Sequence, residues 1–267
     1  MGRGHGGGAR ILARDRRRAA GGRRRGCVGR DRELRGDAGR AAHGDDLRPR
    51  QPLGGRGAVS LVPALIAIDT SIGTSVAVGA GGEVFEFESA DRRGHTEAIG
   101  ELIAAGLDAP GVSPARITGV VVGIGPGPFT GLRVGIAAAK ALAAGLGVPL
   151  LPLSGHEAVA FEAMSRTPDE RPVRVLQDAR RRELFVTEYT GLDARGLPAR
   201  SADAHLLARA DCVEEERDVW PERIPAAGLL RLAELRLRAG RGFEPDRALY
   251  LRAPDAAQPR APKRVSA

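Results

Sequence analysis

The chain has 267 residues, 42% hydrophobic but only 3% aromatic, so it can build the core of one large or two small domains only from aliphatic side chains. Its formal charge of +8 is unevenly spread: residues 1–60 hold 16 Arg, no Lys and 6 acidic residues, whereas the remainder holds 25 basic and 27 acidic residues. The basic balance belongs to the N-terminal stretch and says little about the folded part. Cys27 and Cys212 are isolated and no CxxC spacing occurs, which excludes a disulfide framework and fits a reducing compartment. No run of about 18 apolar residues suggests a membrane span, and no apolar segment follows the basic N-terminus as a secretory signal would require. The expectation is a soluble, cytoplasmic protein.

Residues 1–61 are expected to form a disordered Arg/Gly-rich extension. Residues 1–60 hold 15 of the 37 glycines and no aromatic residue, and their few apolar positions follow neither helical nor strand periodicity. Such a segment buries too little surface to offset chain entropy. One reading is an Arg-rich arm that neutralises phosphates, although it offers no ring to stack on a base. The preferred reading is translation of GC-rich DNA outside the true frame: the chain has 39 Arg but only Lys140 and Lys263, and the folded protein is expected to start near Val59 or Val62.

The first element is a buried strand, Ala64–Asp69, followed by the turn Ser71-Ile72-Gly73-Thr74. Ser75–Gly79 and Glu83–Glu88 read as two further strands; the second alternates Val84, Glu86 and Glu88 against Phe85 and Phe87. A three-stranded antiparallel meander follows. His95–Leu107 places Ile99, Leu102, Ile103 and Leu107 on one helical stripe. Val120–Ile124 is a continuous apolar strand of the buried parallel kind, the loop 125–130 follows, and Gly131–Gly147 is a second helix ended by glycine and then Pro149. Leu150–Leu153 is a strand, Glu157–Ser165 a helix, Val173–Leu176 and Glu183–Tyr189 a paired set, and Pro225–Ala239 a helix with Leu229, Leu232, Leu235 and Leu237. The pattern weakens after Gly191. Strands followed by alternating helix and strand give a layered α/β fold.

Two motifs could face a ligand. Asp69-Thr70-Ser71 ends a buried strand, where a carboxylate can hold a metal-bound phosphate and turn hydroxyls can face an anion; the alternative is a turn in which Asp69 accepts local backbone bonds. Gly125-Pro126-Gly127-Pro128-Phe129-Thr130-Gly131-Leu132-Arg133 joins a buried strand to a helix start, a junction that suits phosphate. Its two prolines remove two donors, no Walker pattern follows, and the alternative is a rigid connector with Thr130 as N-cap. The helix beyond carries a core stripe, Leu132, Ile136, Ala139, Ala143 and Leu146, beside a small-residue stripe, Gly131, Gly135, Ala138 and Gly145. That second stripe is either buried in the domain itself or left for another subunit. His95 lacks a second ligand one turn on, where Ile99 stands, so no metal site is expected. No nucleophilic triad is legible, and no catalytic residue is assigned.

Taken together, Leu65–Thr70, Ser75–Val78, His95–Glu97, Gly125–Gly135, Asp178–Arg181 with Glu183–Phe185, and Ala248–Arg252 resemble the TsaB family over about residues 62–260, in order and spacing. Pro128 stands where that family usually has Ser. The resemblance implies an actin-like, ribonuclease-H-type α/β fold of two lobes, expected at 62–165 and 166–252, with a polar tail at 253–267. It further implies a non-catalytic scaffold subunit for threonylcarbamoyladenosine modification of tRNA. The implied partners are a metal-binding TsaD-like paralogue and a TsaE-like ATPase, with tRNA engaged through the complex and a homodimer as a further assembly; no membrane is involved. No cofactor is bound tightly, and ATP is used by the complex through its partner subunits.

The residues expected to face phosphate or nucleotide are Asp69, Thr70, Ser71, Gly125, Gly127, Thr130 and Arg133. By resemblance, the pairing helices at about 95–108 and 131–146 put His95, Ile99, Leu102, Ile103, Gly135, Ala138 and Leu142 at the partner interface. The competing readings are an actin-like ATPase or small-molecule kinase, and a metallopeptidase-like enzyme. The first needs a second phosphate loop that is not seen after Gly191, and the second is opposed by the lone His95.

Overall fold

The computed structural model describes residues 64–89, 95–166 and 171–252, with side chains from residue 98 onward in the second stretch. The expectations for residues 1–61, for the tail at 253–267 and for the His95 side chain lie outside the described residues.

A five-stranded sheet is built from β1 (Ala64–Asp69), β2 (Thr74–Ala80), β3 (Glu83–Ser89), β4 (Ile117–Gly123) and β5 (Leu150–Leu153), in the order β3-β2-β1-β4-β5. β1, β2 and β3 form the expected antiparallel meander, with Ile68 opposite Val76 and Val76 opposite Phe87. β4 lies parallel to both β1 and β5. The central strands are apolar on both faces because both are covered. Ile66, Ile68, Val76, Val78, Val120 and Val122 face the layer of α1 (His95–Leu107) and α2 (Phe129–Leu146). Leu65, Ala67, Ala77 and Val121 face a second layer made by α3 (Gly155–Arg166) and α4 (Ala226–Arg238).

Beyond α3 lies a four-stranded sheet of β6 (Val173–Asp178), β7 (Glu183–Leu192), β8 (Pro198–Ala208) and β9 (Asp218–Val219), ordered β8-β7-β6-β9. Its inner residues Val173, Val175 and Tyr189 join Leu229, Leu230 and Leu232 of α4 in one continuous core with the first sheet. The two sheets are thus bound through shared apolar contact across α3 and α4. Polar groups add registry. Buried Glu157 of α3 accepts from Arg236 of α4 at 2.6 Å and lies 3.6 Å from Arg200 of β8. Buried His156 touches Thr187 of β7 at 2.8 Å and Gln177 of β6 at 3.0 Å.

Several boundaries differ from the pattern-based expectation. α2 starts at Phe129 with Pro128 as its N-cap, so Thr130 does not cap it; the φ of −61° at Pro128 already suits entry to a helix. β8 lies beyond the expected strands, as an edge strand whose residues are all half-buried or exposed and which carries no apolar alternation. In α4, Leu230 rather than Leu237 joins the core, and Leu237 stays 42% exposed. α2 also has the length and apolar composition of a membrane-crossing segment, against the sequence expectation. Its fully buried Leu132 and Ala139 belong to the helix layer of the sheet.

Leu229 is wholly buried in the core cluster that joins the two sheets. Leu229→Ala should cost about 2–5 kcal/mol in denaturant unfolding, whereas Leu237→Ala on the same helix should cost less than about 0.5 kcal/mol. Equal losses would place α4 outside the shared core.

Candidate functional site: the cleft beside the β1–β2 turn

The end of β1, the end of β4, the start of α2 and the β6–β7 turn converge on one cleft. Asp69 closes β1 and is buried. Its Oδ1 accepts the Ser71 N–H at 2.6 Å and its Oδ2 accepts the Ser71 hydroxyl at 3.1 Å. The carboxylate fits only because β4 offers Gly123 opposite: a Cβ there would lie 1.8 Å from Oδ2. Burial pushes the Asp69 carboxyl up to about 7, outweighing the two Ser71 bonds, which favour the ionised form.

Thr70 and the glycine-rich loop are equally interlocked. The Thr70 hydroxyl donates to the Gly131 carbonyl at 2.7 Å. A Cβ on Gly135, one turn later, would stand 2.2 Å from the same hydroxyl. Gly127 passes so close to Ser71 that a Cβ would meet the serine Cβ at 3.0 Å. Gly125 has φ 104°, a conformation that favours glycine, and its peptide bond to Pro126 is cis. The Gly125 carbonyl accepts the Gly155 N–H at 2.9 Å and the Ser154 hydroxyl at 3.3 Å, tying the loop to the start of α3.

In front of this wall lies a cavity of about 320 Å³ lined by Ser71, Ile72, Thr130, Gln177, Arg180 and Pro221, among others. Ser71 and Thr130 therefore meet at the cleft, while Asp69, Thr70, Gly125 and Gly127 form the packed wall behind it. Arg133 corrects the expectation of a phosphate-facing cation. Its Nε donates to the Tyr250 hydroxyl at 3.2 Å and its guanidinium stacks 3.7 Å from the Phe129 ring centroid, outside the cleft. Phe129 and Tyr250 in turn have ring centroids 4.7 Å apart, so Arg133 fastens the segment 248–252 to α2.

Gln177 and His156 were not singled out from the sequence. Burial pushes the His156 imidazole down to about 4, so the ring is neutral near pH 7. A neutral ring donating from Nε2 to the Gln177 carbonyl oxygen accepts the Thr187 hydroxyl on Nδ1, and Gln177 also lines the cleft. The one sequence signal was position: Gln177 immediately precedes the Asp178-Ala179-Arg180 motif.

The expected interface residues divide. Ile99, Leu102 and Gly135 are buried in the chain's own core, which corrects their assignment to a partner surface. Ile103, Ala138 and Leu142 remain partly exposed on the α1–α2 layer. Among the described residues, no group of three His, Cys, Asp or Glu side chains comes together as a metal site. The β6–β7 turn is strained: Arg180, Arg181 and Arg182 have φ values of 63°, 53° and 61°, and left-handed non-glycine residues each cost about 1 kcal/mol or more.

An unfolded aspartate gives up its proton near pH 3.8, whereas Asp69 in the fold keeps it to about 7. Between those values the folded chain binds the extra proton, so this group erodes stability as pH rises from about 4 to about 7, with no further change above. Asp69→Asn removes the titration. The melting temperature of the variant minus that of the parent should therefore climb across that window and then level off. A flat difference would mean that the carboxylate ionises normally.

The TsaD family, described as tRNA N6-adenosine threonylcarbamoyltransferase, matches residues 88–209. No curated protein matches the sequence. Among solved structures, YeaZ from Pseudomonas aeruginosa is 26% identical with a TM-score of 0.59, the match covering 70% of this chain and 99% of that one. A second, described as an uncharacterized protein with similarity to peptidase YEAZ from Pseudomonas aeruginosa, is 26% identical with a TM-score of 0.60 and covers 71% of this chain and 99% of that one. With two sheets around shared helices, the chain has the actin-like, TsaD-type fold of YeaZ, to which it is similar over about 70% of its length.

Proposed function

We propose that this chain serves threonylcarbamoyladenosine modification of tRNA as a partner subunit without chemistry of its own. The TsaD-family match and the likeness to YeaZ support the tRNA-modification role. The non-catalytic part of the reading rests on one observation, the sealed Asp69. A strand-end carboxylate that manages a metal-bound phosphate must reach the ion. Asp69 is 1% exposed, both its oxygens are occupied by Ser71, and burial favours its neutral form.

In this reading the chain pairs with a metal-binding TsaD-like paralogue, a TsaE-like ATPase joins them in the cytoplasm, and ATP is consumed by those partners. The pairing surface is the exposed part of the α1–α2 layer, with Ile103, Ala138 and Leu142. Small Ala138 lets a partner helix approach closely.

Ala138→Leu adds bulk at a half-buried position, so the fold should hold while pairing weakens about ten- to a hundred-fold, the equivalent of roughly 1–3 kcal/mol of overpacking. Titration of the variant against the metal-binding partner, with thermal melting of the variant alone, reads both. Unchanged affinity would move the interface elsewhere, and loss of self-association in place of partner binding would make this a homodimer face. Sustained ATP turnover by the purified chain would contradict the non-catalytic reading itself.

A further inference from the structure

We propose that the β6–β7 turn forms a contact surface for the phosphate backbone of RNA, with Trp220 beside it as a stacking platform for an unpaired base. The proposal deepens the tRNA-modification reading and rests on it for the kind of RNA.

Arg180, Arg181 and Arg182 are consecutive, exposed, and all in the left-handed region of φ. A turn that only had to reverse the chain would take glycine or asparagine at such positions. Three arginines there hold backbone strain while staying exposed, with Arg180 also 3.9 Å from Asp178, and strain of this kind marks functional segments. The base of the turn is rigid. Ala179 N–H donates to the Glu183 carbonyl and Glu183 N–H to the Arg180 carbonyl, each at 3.0 Å. Arg180 N–H donates to Asp178 Oδ1 at 3.0 Å, and Arg252 donates to the Ala179 carbonyl at 3.2 Å while also pairing with Glu183.

The surface extends to the next strand end. Arg209 N–H donates to the Arg182 carbonyl at 2.8 Å, and its guanidinium lies 5.8 Å from the centroid of Trp220, which is 39% exposed. Charge favours a polyanion locally. Arg180, Arg181, Arg182, Arg209 and Arg252 stand with two carboxylates, Asp178, which pairs with Arg180 and Arg209, and Glu183, which pairs with Arg252, on a body that is otherwise near neutral. A basic rim with an exposed indole is the combination that grips phosphates and stacks a base.

The test uses the full chain and labelled bulk tRNA, followed by fluorescence anisotropy over a salt series. Replacing Arg180, Arg181 and Arg182 together by glycine suits the backbone and removes the charge. We expect this variant to melt at or above the parent temperature, to bind tRNA about ten-fold more weakly or worse, and to lose about 2–3 from the slope of log affinity against log salt. Triple replacement by lysine should keep affinity within a few-fold, and Trp220→Ala should weaken tRNA binding more than binding to fully paired RNA. Unchanged affinity and slope in the glycine variant overturn the proposal. So does a loss of binding to the metal-binding protein partner while tRNA affinity is kept, which would make the turn a protein contact. A chain that binds tRNA as described yet fails to pair with that partner would instead count against the scaffold reading alone.

Discussion

The Asp69 slot is the constraint on which the rest depends. A carboxylate at the end of a buried strand needs hydrogen-bond donors or must remain protonated. Ser71 supplies two donors, at 2.6 and 3.1 Å, and Gly123 supplies room. Because β4 runs parallel beside β1, with Ile68 paired to Val122, the glycine at 123 falls beside the aspartate. The same close approach continues through Thr70 against Gly131 and Gly135, and through Ser71 against Gly127. The glycine-rich loop, which in isolation suggests a phosphate cradle, is here the mould around a short polar turn.

That interlock sets the position of everything around the cleft. α2 is held to β1 by the Thr70 bond at its first turn, and Gly125 links the loop to the start of α3. α3 then carries His156 to Thr187 and Gln177, so the second sheet is registered against the first by a neutral imidazole as well as by apolar contact. A buried neutral histidine with both nitrogens engaged is a stable joint at physiological pH, because burial keeps its protonation well below that range.

Much of this was legible in the sequence where a strand is buried on both sides. The runs ALIAID at β1 and VVVG within β4 are apolar at every covered position, and α1 showed its stripe clearly. β8 was not legible because an edge strand half open to solvent needs no alternation. Spacing showed that α2 carries small residues but not what they approach: Gly135 accommodates Thr70 of its own chain, while Ala138 stays partly exposed. Arg133 misled because a position on the first turn of a helix does not fix where a long side chain goes, and the Tyr250 hydroxyl and Phe129 ring drew it away from the cleft. The triple arginine turn is plain in the text, but its strain emerges only from the backbone.

The proposed account makes the cleft a structural joint and places the chain's work on its surfaces, so the most direct measurement is tRNA modification by the reconstituted complex carrying Asp69→Asn. Asparagine keeps the shape and the Ser71 N–H acceptor while removing a carboxylate that a metal-bound phosphate would need. The account predicts a modification rate within a few-fold of the parent. A fall of about a hundred-fold or more, which corresponds to nearly 3 kcal/mol of lost transition-state stabilisation, in a variant that folds and pairs normally would show that Asp69 takes part in the chemistry.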